Sequence, residues 1–166
     1  MRVAAKQIAL GGILAALAVV IMSMVGLIPV ATYVCPVLCA ILQYTVLRHC
    51  GSRVAWAWYG AVSILSLLLG PDKEAAAVFV FLGYYPILKP KMDRMPMSRL
   101  WKALLFNISI LTMYQLLIRL FGMAQIAAEF SELGIAMTVI SLILGNMIFF
   151  MLDRILDKYN AKMGRR

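Results

Sequence analysis

The stretch that decides the fold runs from Ser66 to Lys91 and reads "SLLLGPDKEAAAVFVFLGYYPILKPK". Three consecutive charged residues, Asp72, Lys73 and Glu74, separate two apolar runs that each suit lipid. A tight helix–helix turn accounts for most of this. Gly70 suits the position just past a helix end, and Pro71 suits the first position of the next helix. Asp72 and Glu74 then fall in a first turn, where acids complement the helix dipole. Lys73 has no part in that explanation, so the stretch predicts a turn and leaves the purpose of its lysine open.

Outward from this turn the whole chain is lipid-like. Of its 166 residues 64% are hydrophobic, and the mean hydropathy is +0.92. Soluble domains average roughly 45–50% apolar residues. A bilayer core of ~30 Å needs ~20 mostly apolar helical residues, and the runs that fit are about 8–28, 34–50, 54–70, 72–88, 100–121 and 134–152. The expectation is an all-α polytopic membrane protein: six transmembrane helices in a single integral membrane domain over residues 1–166. The N-terminal run resembles a signal peptide, but no small-residue cleavage pattern follows it cleanly, and it reads as a retained first span.

Charge placement tests this division. The chain carries 16 Lys and Arg against 7 Asp and Glu, a net charge of +9. With the N-terminus inside, the inner segments hold Arg2, Lys6, Arg48, Arg53, Lys89, Lys91, Arg94, Arg99, Lys102, Arg154, Lys158, Lys162, Arg165 and Arg166. Only Lys73 and Arg119 fall outside, so 14 of the 16 obey the positive-inside rule. Both termini are therefore expected in the cytoplasm. The basic balance reports membrane orientation, and no nucleic-acid partner is expected. Trp56, Trp58, Tyr59, Tyr84, Tyr85 and Trp101 lie near the predicted inner boundary, where amphipathic rings anchor helices.

Small residues mark helix contacts. In the first span Ala5, Ala9, Gly12, Ala16 and Ser23 share one narrow face, and Gly11, Ala15 and Ala18 form a second beside it. Lipid gives helices no hydrophobic reason to associate, so close packing through small residues supplies much of the attraction. Two such faces on one helix suit two neighbours, one of them in another protein. Gly60, Ser63 and Gly70 in the third span, and Gly134, Thr138, Ser141 and Gly145 in the sixth, read as packing within the bundle.

Catalytic chemistry is missing. No Asp, Glu or His lies near the middle of a predicted span, and there is no paired carboxylate, HExxH, Gly-x-Ser-x-Gly or phosphate-binding glycine loop. Proton coupling wants acids or histidines at depth. Three cysteines, Cys35, Cys39 and Cys50, with the single His49, make too few ligands in the wrong spacing for a metal site. Neither enzyme activity, metal nor cofactor is expected.

The remaining polar residues gather towards the outer half. The first outer loop holds Pro29, Thr32, Tyr33 and Pro36, and the second Asp72, Lys73 and Glu74. The fifth span carries Asn107, Thr112, Tyr114, Gln115 and Arg119, and the third outer loop Gln125, Glu129 and Glu132. Arg119 breaks the charge rule. It either snorkels to the headgroups or contacts an anionic or zwitterionic solute, balanced by Glu129 or Asp72. Thr32, Tyr33, Asp72, Lys73, Glu74, Tyr114, Gln115 and Arg119 are the candidate solute-binding residues.

Taken together, the six-span layout, the opening "KQIALGGILAALAVV", the proline-bearing "GLIPVATYVCPVLCAIL" and a small-residue final helix with a basic tail resemble the substrate-binding S component of an energy-coupling factor (ECF) transporter. The family's Ala-xxx-Ala pattern is matched by Ala5 and Ala9, and in kind by Gly12 with Ala16 and Gly11 with Ala15. The resemblance implies a multi-pass protein of the bacterial cell membrane. It would capture a vitamin or similar micronutrient from outside, while a transmembrane coupling subunit and cytosolic ATPases drive uptake. The solute stays open. The rival expectation is a non-catalytic structural or assembly protein acting through the small-residue faces alone.

Overall fold

A computed structural model describes residues 2–27, 31–119 and 134–163. All regular structure among them is helical: α1 Arg2–Ser23, a 3₁₀ turn Val25–Leu27, α2 Ala31–Cys50, α3 Ser52–Leu69, α4 Lys73–Leu82, α5 Tyr85–Met92, α6 Ser98–Arg119 and α7 Ile135–Met163. Five of these, α1, α2, α3, α6 and α7, are long and apolar enough to cross a membrane.

The predicted fourth span is where expectation and structure part. Residues 72–88 do not form one helix but two short ones, broken at Gly83 and Tyr84. Pro86 is the physical reason. It has no N–H to donate back to Leu82, and its ring crowds that carbonyl. Gly83 and Tyr84 keep right-handed helical dihedrals, so the chain turns through the break without reversing. The other boundaries shift modestly, except that α7 runs to Met163 and so includes Asp153.

Contacts divide the chain into two compact units, residues 1–93 and 94–166. In the first, α2 is the central helix and packs against α1, α3, α4 and α5. It runs antiparallel to α1: the Gln7 amide donates to the His49 carbonyl at 3.1 Å near one end, and Cys39 Sγ donates to the Ala18 carbonyl at 3.6 Å further along. Gly51 alone links α2 to α3, with φ at +83°, a conformation that costs a side-chain-bearing residue dearly. The core joins Ala18, Met22, Cys39, Val46, Trp58, Val62, Ala76 and Phe79.

The second unit is an antiparallel pair, α6 against α7, held by three contacts in register. Lys102 Nζ lies 3.3 Å from Asp153 Oδ1, the rings of Phe106 and Phe149 stack at 4.3 Å, and Asn146 Nδ2 donates to Asn107 Oδ1 at 2.7 Å. Where Gly145 faces α6, a Cβ would run into the Ile110 side chain. The glycine lets the helices approach closely, as its place in the small-residue stripe leads one to expect. Ser141 of that stripe is buried as well.

Candidate functional site

The charged turn of the opening stretch folds into a clasp. Asp72 is the N-cap of α4, not part of its first turn: Oδ1 accepts from the backbone N–H of Glu74 at 2.8 Å and of Ala75 at 3.3 Å. Its other oxygen, Oδ2, accepts from the Thr32 hydroxyl at 2.8 Å. Two residues on, Glu74 Oε1 accepts from the Tyr33 hydroxyl at 2.9 Å. Thr32 and Tyr33 lie in the first turn of α2, not in a loop. Two carboxylates thus tie the start of α4 to the start of α2.

Lys73 now has a role. Its ammonium donates to the carbonyls of Leu67 at 2.7 Å and Gly70 at 3.1 Å, the first of them among the carbonyls that the end of α3 leaves without helical donors. A cation there also complements the negative end of the α3 dipole. Gly70 closes α3 in an extended conformation, φ −65° and ψ 133°, and not in the left-handed one that the sequence suggests. Its lack of a side chain is needed because a Cβ would collide with the Ser66 carbonyl. Pro71 precedes the cap instead of opening the helix.

The candidate solute-binding residues therefore fall into two groups. Thr32, Tyr33, Asp72, Lys73 and Glu74 come together in the first unit. Tyr114, Gln115 and Arg119 lie on the last turns of α6 in the second, with Gln115 and Arg119 exposed and Tyr114 half-buried. Asn107, read as part of the same polar set, instead bonds Asn146 and the Ala103 carbonyl, and Thr112 bonds the Ile108 carbonyl. Pro29, Gln125, Glu129 and Glu132 lie outside the described residues.

Deeper in the first unit are polar atoms that sequence reading did not single out. Gln43 is fully buried and donates to the Ala55 carbonyl at 3.2 Å, yet its Oε1 has no hydrogen-bond partner among the described residues. Neither do Trp58 Nε1 and Ser66 Oγ, both buried. Trp58, Val62 and Ser66 follow one another at four-residue spacing, which puts them on one face of α3. A single glutamine at the centre of an apolar run was the available signal.

The aromatic set also divides. Trp56 and Trp101 are exposed, as interfacial anchors would be, whereas Trp58 and Tyr85 are core residues. Tyr59 sits edge-on to Tyr84 at 6.5 Å, and its hydroxyl donates to the Val80 carbonyl in the last turn of α4. These rings pack the broken α4–α5 segment onto α3.

The two small-residue faces of α1 separate cleanly. Gly11 and Ala18 are buried and Ala15 is half-buried, with a Cβ on Gly11 falling 3.5 Å from the Val54 side chain. Ala5, Ala9, Gly12 and Ala16 are exposed, and a Cβ on Gly12 would meet nothing within 4 Å. One face packs within the first unit, and the other is exposed among the described residues.

The three cysteines are free and buried, and no cluster of three or more potential metal ligands occurs among the described residues. No protein-family model, no curated protein and no solved structure matches the chain.

Proposed function

We propose that the protein is the membrane-embedded solute-binding subunit of an ECF-type importer in the bacterial cell membrane. It captures a vitamin or similar micronutrient from outside, and a transmembrane coupling subunit with cytosolic ATPases drives uptake. The observation that carries this reading is a group of buried polar atoms with no hydrogen-bond partner among the described residues, which includes Gln43 Oε1, Trp58 Nε1 and Ser66 Oγ. An orphaned buried donor or acceptor costs about 1–3 kcal/mol. Several in one unit suit a polar occupant of the interior better than a closed apolar core. Thr32, Tyr33, Asp72, Lys73 and Glu74 close the end of the unit nearest the start of α4, and Tyr114, Gln115 and Arg119 belong to the same outer side in the topology proposed.

That topology has six crossings and both termini in the cytoplasm. Helices α4 and α5, ten and eight residues with two between them, supply the sixth crossing together. Twenty helical residues at ~1.5 Å each reach ~30 Å, the thickness of the hydrocarbon core. Carbonyls released at Pro86 are tolerated at membrane depth because this segment is buried among neighbouring helices. The uncovered face of α1, Ala5, Ala9, Gly12 and Ala16, is the contact for the coupling subunit, while Gly11 and Ala15 stay inside.

The second reading, a non-catalytic structural or assembly protein, draws on the clasp: Thr32, Asp72, Tyr33 and Glu74 already bond one another and need no solute. Equilibrium binding with the purified full-length chain separates the two. A solute-binding subunit takes up one small solute stoichiometrically from a panel of vitamins and their precursors, and Gln43→Leu or Ser66→Ala weakens that uptake. Absence of binding across the panel, with intact fold, leaves the structural reading.

A further inference from the structure

The α6–α7 pair carries a second feature with no part in solute capture. Where Lys102 meets Asp153, the two helices form a half-open pocket of about 470 Å³, within the ~300–1,000 Å³ usual for small-ligand pockets. Its lining divides by chemistry. Arg99, Lys102 and Asp153 carry charge, whereas Met147, Phe149 and Phe150 are apolar. Lys102 is 8% exposed, with its ammonium 3.3 and 3.4 Å from the two Asp153 oxygens, while Arg99 is exposed.

Two cations against one anion leave the lining with a charge of +1, which complements a monoanion. The apolar half asks that this monoanion have a hydrocarbon body. Leu100 and Trp101 beside Arg99 are 59% and 49% exposed, a combination that belongs at the level of lipid headgroups. Basic pockets between membrane helices are suited to phospholipid headgroups.

We propose that this cavity binds a single anionic phospholipid through its phosphodiester. Arg99 presents a guanidinium fork to the phosphate oxygens, Lys102 adds charge from the cavity wall, and the glycerol and first acyl carbons lie along Met147 and Phe150. Asp153 sets the specificity. By holding the lining at +1 and not +2, it favours a phosphodiester over a doubly charged phosphomonoester.

The test is native mass spectrometry of the full-length chain in detergent, incubated with phosphatidylglycerol, phosphatidylethanolamine or the soluble sn-glycerol 3-phosphate. Phosphatidylglycerol is expected to be retained as one adduct, in clear preference to phosphatidylethanolamine. Arg99→Gln should lower that retention about fivefold, the factor one cation contributes near an anionic surface. Met147→Trp, which fills the cavity, should abolish it, and Lys158→Gln, outside the lining, should leave it unchanged. Equal retention of the two lipids would overturn the proposal. So would indifference to Arg99→Gln, an equal effect of Lys158→Gln, or complete displacement of the lipid by glycerol 3-phosphate.

Discussion

Asp72 joins the capping of α4 to the attachment of α2, so its replacement separates the two. In Asp72→Ala the N–H groups of Glu74 and Ala75 lose their acceptor, and the Thr32 hydroxyl loses its partner. The cap is worth about 1 kcal/mol. The Thr32 bond has a charged acceptor, which in water would make it worth ~1.5–3 kcal/mol, but polar contacts between membrane helices average nearer ~0.6 kcal/mol. At a half-buried helix end we take ~1–2 kcal/mol for it, and ~2–3 kcal/mol for the alanine variant in all. Asp72→Asn keeps an Oδ1 acceptor for the cap and turns an amide towards Thr32, so it should cost under ~1 kcal/mol. Thr32→Val alone should cost ~1–2 kcal/mol, and almost nothing in the Asp72→Ala background. The assay is unfolding in mixed micelles of increasing dodecyl sulfate, followed by Trp58 fluorescence in a Trp56→Phe, Trp101→Phe background. Trp58 sits edge-on to Phe79 of α4 at 6.4 Å and reports this packing. Equal losses in the alanine and asparagine variants, or additive losses for Thr32→Val and Asp72→Ala, would refute the clasp.

Two further outcomes follow from the same packing. Lys102→Met strands a partly buried carboxylate and should cost ~1–3 kcal/mol, whereas Lys102→Met with Asp153→Leu should return close to the parent stability, because two charges then leave together; the same dodecyl sulfate titration reads both. In α1, Gly11→Leu drives a side chain against Val54 and should cost ~1–3 kcal/mol by overpacking. Gly12→Leu enters open space and should leave the isolated protein within ~0.5 kcal/mol of its parent. Under the proposed function it should nevertheless abolish capture of a coupling subunit in a pull-down from membranes.

Much of the fold was legible in the sequence because lipid simplifies the code. Long apolar runs must become helices, and five of the predicted runs correspond to membrane-length helices. The fourth run failed as one helix through a signal that was in plain sight: Pro86 and Pro90 lie in "GYYPILKPK", and a proline inside a helix removes a backbone bond. Both small-residue faces of α1 could be drawn on a wheel, but periodicity does not say which face turns inward. That depended on Val54 arriving opposite Gly11.

The turn at Asp72 was half readable. Its glycine and proline announced the stop and start, yet Lys73 closes the preceding helix by reaching back to Leu67, a contact that exists only once the turn is tight. Trp58 and Tyr85 were read as interfacial from their distance to the basic residues; Trp58 is buried against Phe79 of α4, and Tyr85 is a buried residue of the packed α5 itself. The unpartnered atoms of Gln43, Trp58 and Ser66 were not legible, since burial without a partner is a property of packing and not of residue type.

The most direct measurement is affinity purification of the tagged full-length chain from native membranes, with mass spectrometry of both the proteins and the small molecules that accompany it. A solute-binding importer subunit brings with it a transmembrane coupling protein, two ATPase chains and close to one equivalent of a single micronutrient, and Gly12→Leu loses the proteins while keeping the solute. Recovery of the chain with neither a small molecule nor an ATPase would contradict that assignment.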